Sequence, residues 1–224
     1  MPLKAYNFVF DLDDTLFKER DYVASALRFA GGRIQQMYGI NDPSAALIAA
    51  FAQGHQDPIG ALWAAKGLPP RAKSGVISAM RAHIPDIALS PATKAFIQHI
   101  RAKGAGFAIL TDGRSLTQRA KIAALGLMDA DMICISEETG AEKPSEKGFK
   151  AIEAQAQTRR HIYIGDNPRK DFLAPNARGW LTFMLKDNGQ NIPRAAFVPP
   201  PKAMAQIAID HPAEILAHLM QKRR

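Results

Sequence analysis

The apolar positions of this chain fall into two periodic classes, and their order along the sequence predicts its architecture. Residues 6–10, Tyr-Asn-Phe-Val-Phe, form a short aromatic and β-branched run of the kind that makes a buried strand. Runs at 107–110, 132–135, 161–164 and 180–185 have the same character, the last being the final strand expected. Between the first two runs the period changes. Val23, Leu27, Ala30, Ile34 and Tyr38 recur at helical spacing, and Gly39 ends that helix. Further helices are expected over 43–52, 59–66 and from Pro69-Pro70 to about residue 82. Ser90-Pro91 then supplies an N-cap followed by proline at the first helical position. From there helices over 90–103, 115–125, 144–156 and 168–174 alternate with the strands, Pro199-Pro200-Pro201 makes a stiff spacer, and a helix over 212–220 closes the chain. The pattern predicts an α/β fold: a Rossmann-like parallel sheet with helices on both faces, plus an inserted all-helical cap. The expected division is a core of residues 1–16 and 90–224 and a helical cap of residues 17–89, folded over the end of the first strand with hinges near Phe17 and Leu89.

The polar residues at that strand end carry the first chemical signal. Asp11, Asp13 and Asp14 follow the run directly, with Thr15 beside them. Ligands of open α/β sheets bind beyond the carboxyl ends of the strands. Carboxylates so close together repel unless a cation or a shared proton offsets their charge. Mg2+ is the cation expected, because it takes oxygen ligands and sits with carboxylates and substrate phosphate. The alternative is a strand that ends in an acidic turn.

Composition narrows the picture by exclusion. The 224 residues are 47% hydrophobic and 22% charged, ordinary for a soluble globular protein and long enough to bury a core. A single cysteine, Cys134, excludes an internal disulfide framework and a cysteine-rich zinc module, and its apolar neighbours make it a packing residue. Residues 1–5 lead into the strand with no secretory h-region, and no apolar run is long enough to span a bilayer, so a cytoplasmic enzyme is expected. The net charge of +8 is scattered, with tight clusters only at Arg159-Arg160 and Lys222-Arg223-Arg224. Without aromatic interleaving or a reader motif, nucleic-acid binding is the disfavoured reading, and attraction of an anionic metabolite the favoured one.

Three later strand ends repeat the chemistry of the first. Thr111-Asp112-Gly113-Arg114 follows one strand, Lys143 stands before a proline and a helix, and Gly165-Asp166-Asn-Pro-Arg-Lys-Asp171 follows another. Each is weak alone; in this order they place a hydroxyl, an ammonium and further carboxylates around the first cluster. The set resembles the four motifs of the haloacid-dehalogenase-like phosphohydrolases, from Asp11-Leu-Asp13-Asp-Thr15 through Thr111 and Lys143 to Asp166 and Asp171, over about residues 6–185. A helical insertion between the first and second motifs is also found in that family.

The resemblance implies the roles. Asp11 is the nucleophile that forms an aspartyl-phosphate, and Asp13 protonates the leaving oxygen and then activates water. Asp11, Asp166 and the main-chain oxygen of Asp13 hold Mg2+. Thr111 and Lys143 grip the phosphoryl oxygens, with Asp14 and Asp112 as further phosphate-side candidates. Asp171 orients Lys143 or metal-bound water, and Thr15 shapes the first loop. An acid at position 13 is the mark of the family's phosphatases and phosphomutases rather than its dehalogenases or transport ATPases. Asp112 departs from the more common asparagine; it either caps the helix that follows or, with Arg114, meets substrate. Arg20, Asp21, His55 and Arg114 are the candidates for substrate specificity, whereas Phe29, Met37, Phe51, Trp63 and Met80 are expected in the core of the cap. The resulting expectation is a Mg2+-dependent phosphatase acting on a small phosphorylated metabolite, such as a sugar phosphate or nucleotide. A phosphomutase of the same family, or a role directed at a macromolecule, remains as the alternative.

Overall fold

The computed structural model describes residues 3–221; the basic run 222–224 and residues 1–2 lie outside the described residues. Strand β1 (Tyr6–Phe10) is buried at every position and sits in the middle of a six-stranded parallel sheet. The others are β2 (Gly106–Thr111), β3 (Met132–Ile135), β4 (Arg160–Gly165), β5 (Leu181–Leu185) and β6 (Ile207–Ile209), in the spatial order β3-β2-β1-β4-β5-β6. Alternation along β1 serves two cores at once. Phe8 and Phe10 face Phe96, Ile97 and Ile100 of α5 (Pro91–Ala102), with α6 (Ser115–Ala124) and α10 (Glu214–Gln221) on the same side. Val9 faces Phe149 and Ile152 of α8 (Lys147–Gln155), with Tyr163 of β4 and Ala174 of α9 (Leu173–Ala177) nearby. A four-residue helix, α7 (Ser136–Thr139), follows β3 directly. Helices therefore cover both faces, as the alternating pattern predicts.

The insertion between β1 and β2 is helical throughout: α1 (Glu19–Tyr38), α2 (Pro43–Ala52), α3 (Pro58–Ala65) and α4 (Pro70–Arg81). Its starts and stops are local chemistry. Gly39 takes a left-handed φ of 64° to end α1, while Asp42 and Asp57 cap α2 and α3 through the N–H groups of Ala45 and Gly60, each just ahead of a proline. Leu27, Ala30, Ile34, Leu47, Ile59, Trp63 and Val76 make a core separate from the two beside the sheet. Gly31 is required here, since a Cβ would come within 2.6 Å of the Ser44 backbone where α1 and α2 cross. Phe51 and Met80 pack against this core as expected, but Phe29 and Met37 stay 37% and 46% exposed. Phe29 is two positions from Leu27, so it faces away from the stripe that Leu27 begins.

The sequence reading needs two further corrections. The strand at 181–185 is not the last, because Ile207–Ile209 pairs with it at the sheet edge, fastened by Lys186 N–H to Ile209 O at 2.9 Å. Three residues behind a proline-rich stretch are too short to show a period. The helix expected over 168–174 begins only at Leu173, because the Asp171 carboxylate accepts the Asn167 N–H at 2.8 Å and ties the preceding residues into a turn.

Candidate active site

Strands β1 and β4 are neighbours, yet their chains leave toward opposite sides of the sheet, and this reversal opens a crevice at their carboxyl ends. Asp11 extends β1 into it, its N–H bonded to Ile164 O at 2.8 Å and one carboxylate oxygen bonded to the Leu12 N–H at 2.8 Å. Lys143 reaches in from the segment before α8 and places its ammonium 2.8 Å from Asp11 and 2.7 Å from Asp171, with the Tyr163 hydroxyl at 3.0 Å. All four groups are buried, so each charge depends on the others. Burial alone would lower the Lys143 pKa, but Asp11 and Asp171 outweigh it and hold the ammonium firmly charged. Burial would likewise raise Asp11, but Lys143 and Lys170 hold it below its ordinary value. The backbone makes room for this: a Cβ on Gly165 would lie 2.5 Å from an Asp171 oxygen.

Asp166 follows β4 and completes the acidic group, for Asp11, Asp166 and Asp171 each offer a carboxylate oxygen within 4.8 Å of the others. One oxygen of Asp166 takes Arg194 at 2.6 Å and Asn191 at 3.3 Å. The other is buried with no partner. An orphaned carboxylate oxygen beside two further carboxylates is the donor set of a hard divalent cation, so the residues fit the Mg2+ that the sequence suggests. Burial, then the charges of Asp11 and Asp171, push the Asp166 pKa up to about 7 against the pull of Arg194. That carboxyl, raised from an ordinary 3.8, makes the cation-free protein lose stability as pH rises toward about 7. A bound cation must also displace its proton. Divalent-cation affinity is therefore expected to be flat above about pH 7 and to fall by about tenfold per pH unit below it. Calorimetric titration from about pH 8 to about pH 5 checks this, and a flat profile would contradict it.

Arg194 is the main residue that sequence reasoning misses. It lies on the strap of residues 186–200 that crosses the crevice after β5, and it joins Asp166 to the Asp14 carboxylate, the latter at 3.0 Å. Lys18 anchors the strap through Asn191 at 2.7 Å, and Arg169 through the carbonyls of Ala195 and Ala196 at 2.9 Å. Asp14 sits at a left-handed φ of 57° and its second oxygen accepts the Glu19 N–H, so its side chain is committed to the loop and to α1.

Thr111 ends β2 beside Asp11, and Gln118 of α6 donates to it at 2.7 Å and to Asp13 at 2.9 Å. Lys121, also on α6, meets the other Asp13 oxygen at 2.7 Å. Asp112 does not cap α6. Its oxygens take the Lys143 N–H at 2.9 Å and Lys170 at 3.0 Å, and Arg114 instead stands at the N-cap position without a capping side-chain bond. The Thr15 hydroxyl is buried in the first loop without a partner. Arg20 and His55 share the wall of a cavity of about 450 Å3 with Val23, Phe51 and the strap residue Asn191. Asp21 borders a different cleft, behind the first loop, and Arg114 a shallow one near α7.

The family profile of the haloacid dehalogenase-like hydrolases matches residues 7–178. The chain belongs to that family. That family is one of hydrolases. Over 107 residues it is 32% identical to the ribulose-1,5-bisphosphate 5-phosphatase of Halopiger xanaduensis, a match covering 46% of this chain and 45% of that protein. The chain thus aligns with less than half the length of that relative. It is 27% identical over 172 residues to the phosphoserine phosphatase of Thermus thermophilus, covering 74% of this chain and 69% of that one. Its fold superposes on a 2-haloacid dehalogenase from Pseudomonas syringae with a TM-score of 0.64, at 18% identity over 97% of this chain and 99% of that one. At that identity the likeness is one of fold, and the reaction has to be argued from the site. Among the described residues no helix is long and apolar enough to cross a membrane.

Proposed function

We propose that this hydrolase is a Mg2+-dependent phosphatase that cleaves small phosphomonoesters through an aspartyl-phosphate on Asp11. The observation that carries the reading is the pairing of a buried, charge-held Asp11 with a second carboxyl, Asp13, set two residues on at the crevice rim. Asp11 attacks phosphorus and the bond to the leaving oxygen breaks as Asp13 gives that oxygen a proton. Water then attacks the phosphorus of the acyl phosphate, Asp13 takes the water's proton, and Asp11 is regenerated. Thr111 and Lys143 hold the transferring oxygens, and Lys143 keeps its orientation through Asp171 and Tyr163. Asp11, Asp166 and the main-chain oxygen of Asp13 would hold Mg2+, which would supply the positive charge that lets an anionic nucleophile approach an anionic ester.

The helical segment, residues 17–89, acts in this reading as a cap that excludes water from the crevice. The leaving group occupies the cavity walled by Arg20, His55 and Phe51, whose size suits a small metabolite rather than a protein segment. Relatives named for ribulose bisphosphate and phosphoserine support a small substrate of this class. The net charge of +8 then serves attraction of an anionic ester. Phosphate release from a panel of sugar phosphates, nucleotides and phosphorylated acids, with Mg2+ and with chelator, tests the proposal. Turnover of at least one monoester that chelator abolishes is expected; no turnover of any member in Mg2+ would overturn it.

A further inference from the structure

Asp13 has work to do at two points of the proposed reaction, and the structure shows both of its oxygens already held. Lys121 Nζ lies 2.7 Å from one and Gln118 Nε2 2.9 Å from the other. The same Gln118 amide gives its second hydrogen to Thr111 Oγ1 at 2.7 Å, so acid and phosphate-side hydroxyl share one anchor. Gln118 and Lys121 are one helical turn apart on α6 and therefore present a single face to the crevice. Lys121 is 3% exposed, an exceptional burial for lysine that requires a partner, and Asp13 is that partner. Its ammonium also rests 4.2 Å from the ring centre of Tyr22 and 5.9 Å from that of Phe17. Tyr22 belongs to α1, the first helix of the insertion.

We propose that Lys121 and Gln118 are positioning residues that fix the Asp13 carboxyl for proton transfer, and that Tyr22 makes this hold depend on the seating of the helical insertion. The inference rests on the reading of Asp13 as acid and base. An aspartate at a rim can rotate among several side-chain wells, and displacement of a reacting group by about 1 Å can lower a rate about 10²-fold. With two donors on separate oxygens the carboxyl keeps one orientation. Because one donor is seated beneath a ring of the insertion, a displaced α1 would loosen it.

The test compares Lys121→Met, Gln118→Met and Asp13→Asn, with an alkyl phosphate and with p-nitrophenyl phosphate as substrates. Lys121→Met is expected to lower kcat on the alkyl ester by about 10- to 100-fold, with much less loss on the nitrophenyl ester, whose leaving group needs no proton. KM and the Mg2+-induced thermal shift should stay near wild type. Added to Asp13→Asn, it should cause no further loss, since the group it positions is gone. Gln118→Met should show the same leaving-group signature with a rise in KM through Thr111, and it decides the matter if Lys121→Met does not fold. A costly Asp13→Asn beside harmless Lys121 and Gln118 variants would overturn the positioning proposal alone. So would equal losses on both esters, or losses that persist in the Asp13→Asn background. An Asp13→Asn protein with full activity on the alkyl ester would instead overturn the acid–base reading beneath it.

Discussion

Asp11→Asn protein is expected to fold and to release no phosphate, with kcat down by on the order of 10⁶, the scale of removing a covalent nucleophile. The neutral amide cannot attack phosphorus. It can still accept the Leu12 N–H, and Lys143 keeps Asp171 at 2.7 Å, so the buried network loses one charge without being left unpaired. Lys143 then has one carboxylate where it had two. The thermal shift produced by Mg2+ should shrink, since Asp11 is one of the three carboxylates that converge on the site. Steady-state phosphate release, measured beside circular dichroism and thermal melts with and without Mg2+, checks all three points. Residual turnover within about tenfold of wild type would mean that another group, or water directly, attacks the ester.

Asp13→Asn is expected to give a smaller and more selective loss. General acid–base assistance contributes about 10²–10⁴ in rate, or roughly 3–5 kcal/mol of barrier. Nucleophile and metal-side carboxylates remain, so binding should change little and the loss should appear in kcat. It should be largest for sugar and alkyl leaving groups, which depart as poor alkoxides unless protonated, and smaller for nitrophenolate. A plot of rate against leaving-group pKa should therefore steepen in the variant. A uniform loss across leaving groups would move Asp13 from proton transfer to a structural part.

Much of this site was legible in the sequence because strand ends in a parallel sheet converge by construction. Asp11, Thr111 and Asp166 each stand within two residues of the end of an apolar run, and pairing of β1 with β2 and β4 brings those ends together. Lys143 and Asp171 are on connecting segments, and only the order of the motifs gave them away. Residues that correct the picture come from elements whose local pattern says nothing about the crevice. Lys121 and Gln118 read as the polar side of an amphipathic helix, and no spacing tells that this polar side faces a buried carboxylate. Arg194 lies in an aperiodic strap 180 residues from the Asp14 it pairs with, so its role exists only once β6 has drawn the strap back over the site. Asp112 could be read as a cap because aspartate before a helix usually is one; the nearby Lys143 N–H and Lys170, contributed by two other segments, win instead.

The central claim is that the phosphoryl group passes to Asp11. The most direct measurement is a millisecond acid quench of wild-type enzyme with a phosphate-labelled monoester in Mg2+, followed by peptide mapping. The account predicts an acid-stable, hydroxylamine-sensitive label on the peptide containing Asp11, formed and lost at rates that match turnover. Full turnover with no label on that peptide, and inversion of configuration at phosphorus, would contradict it.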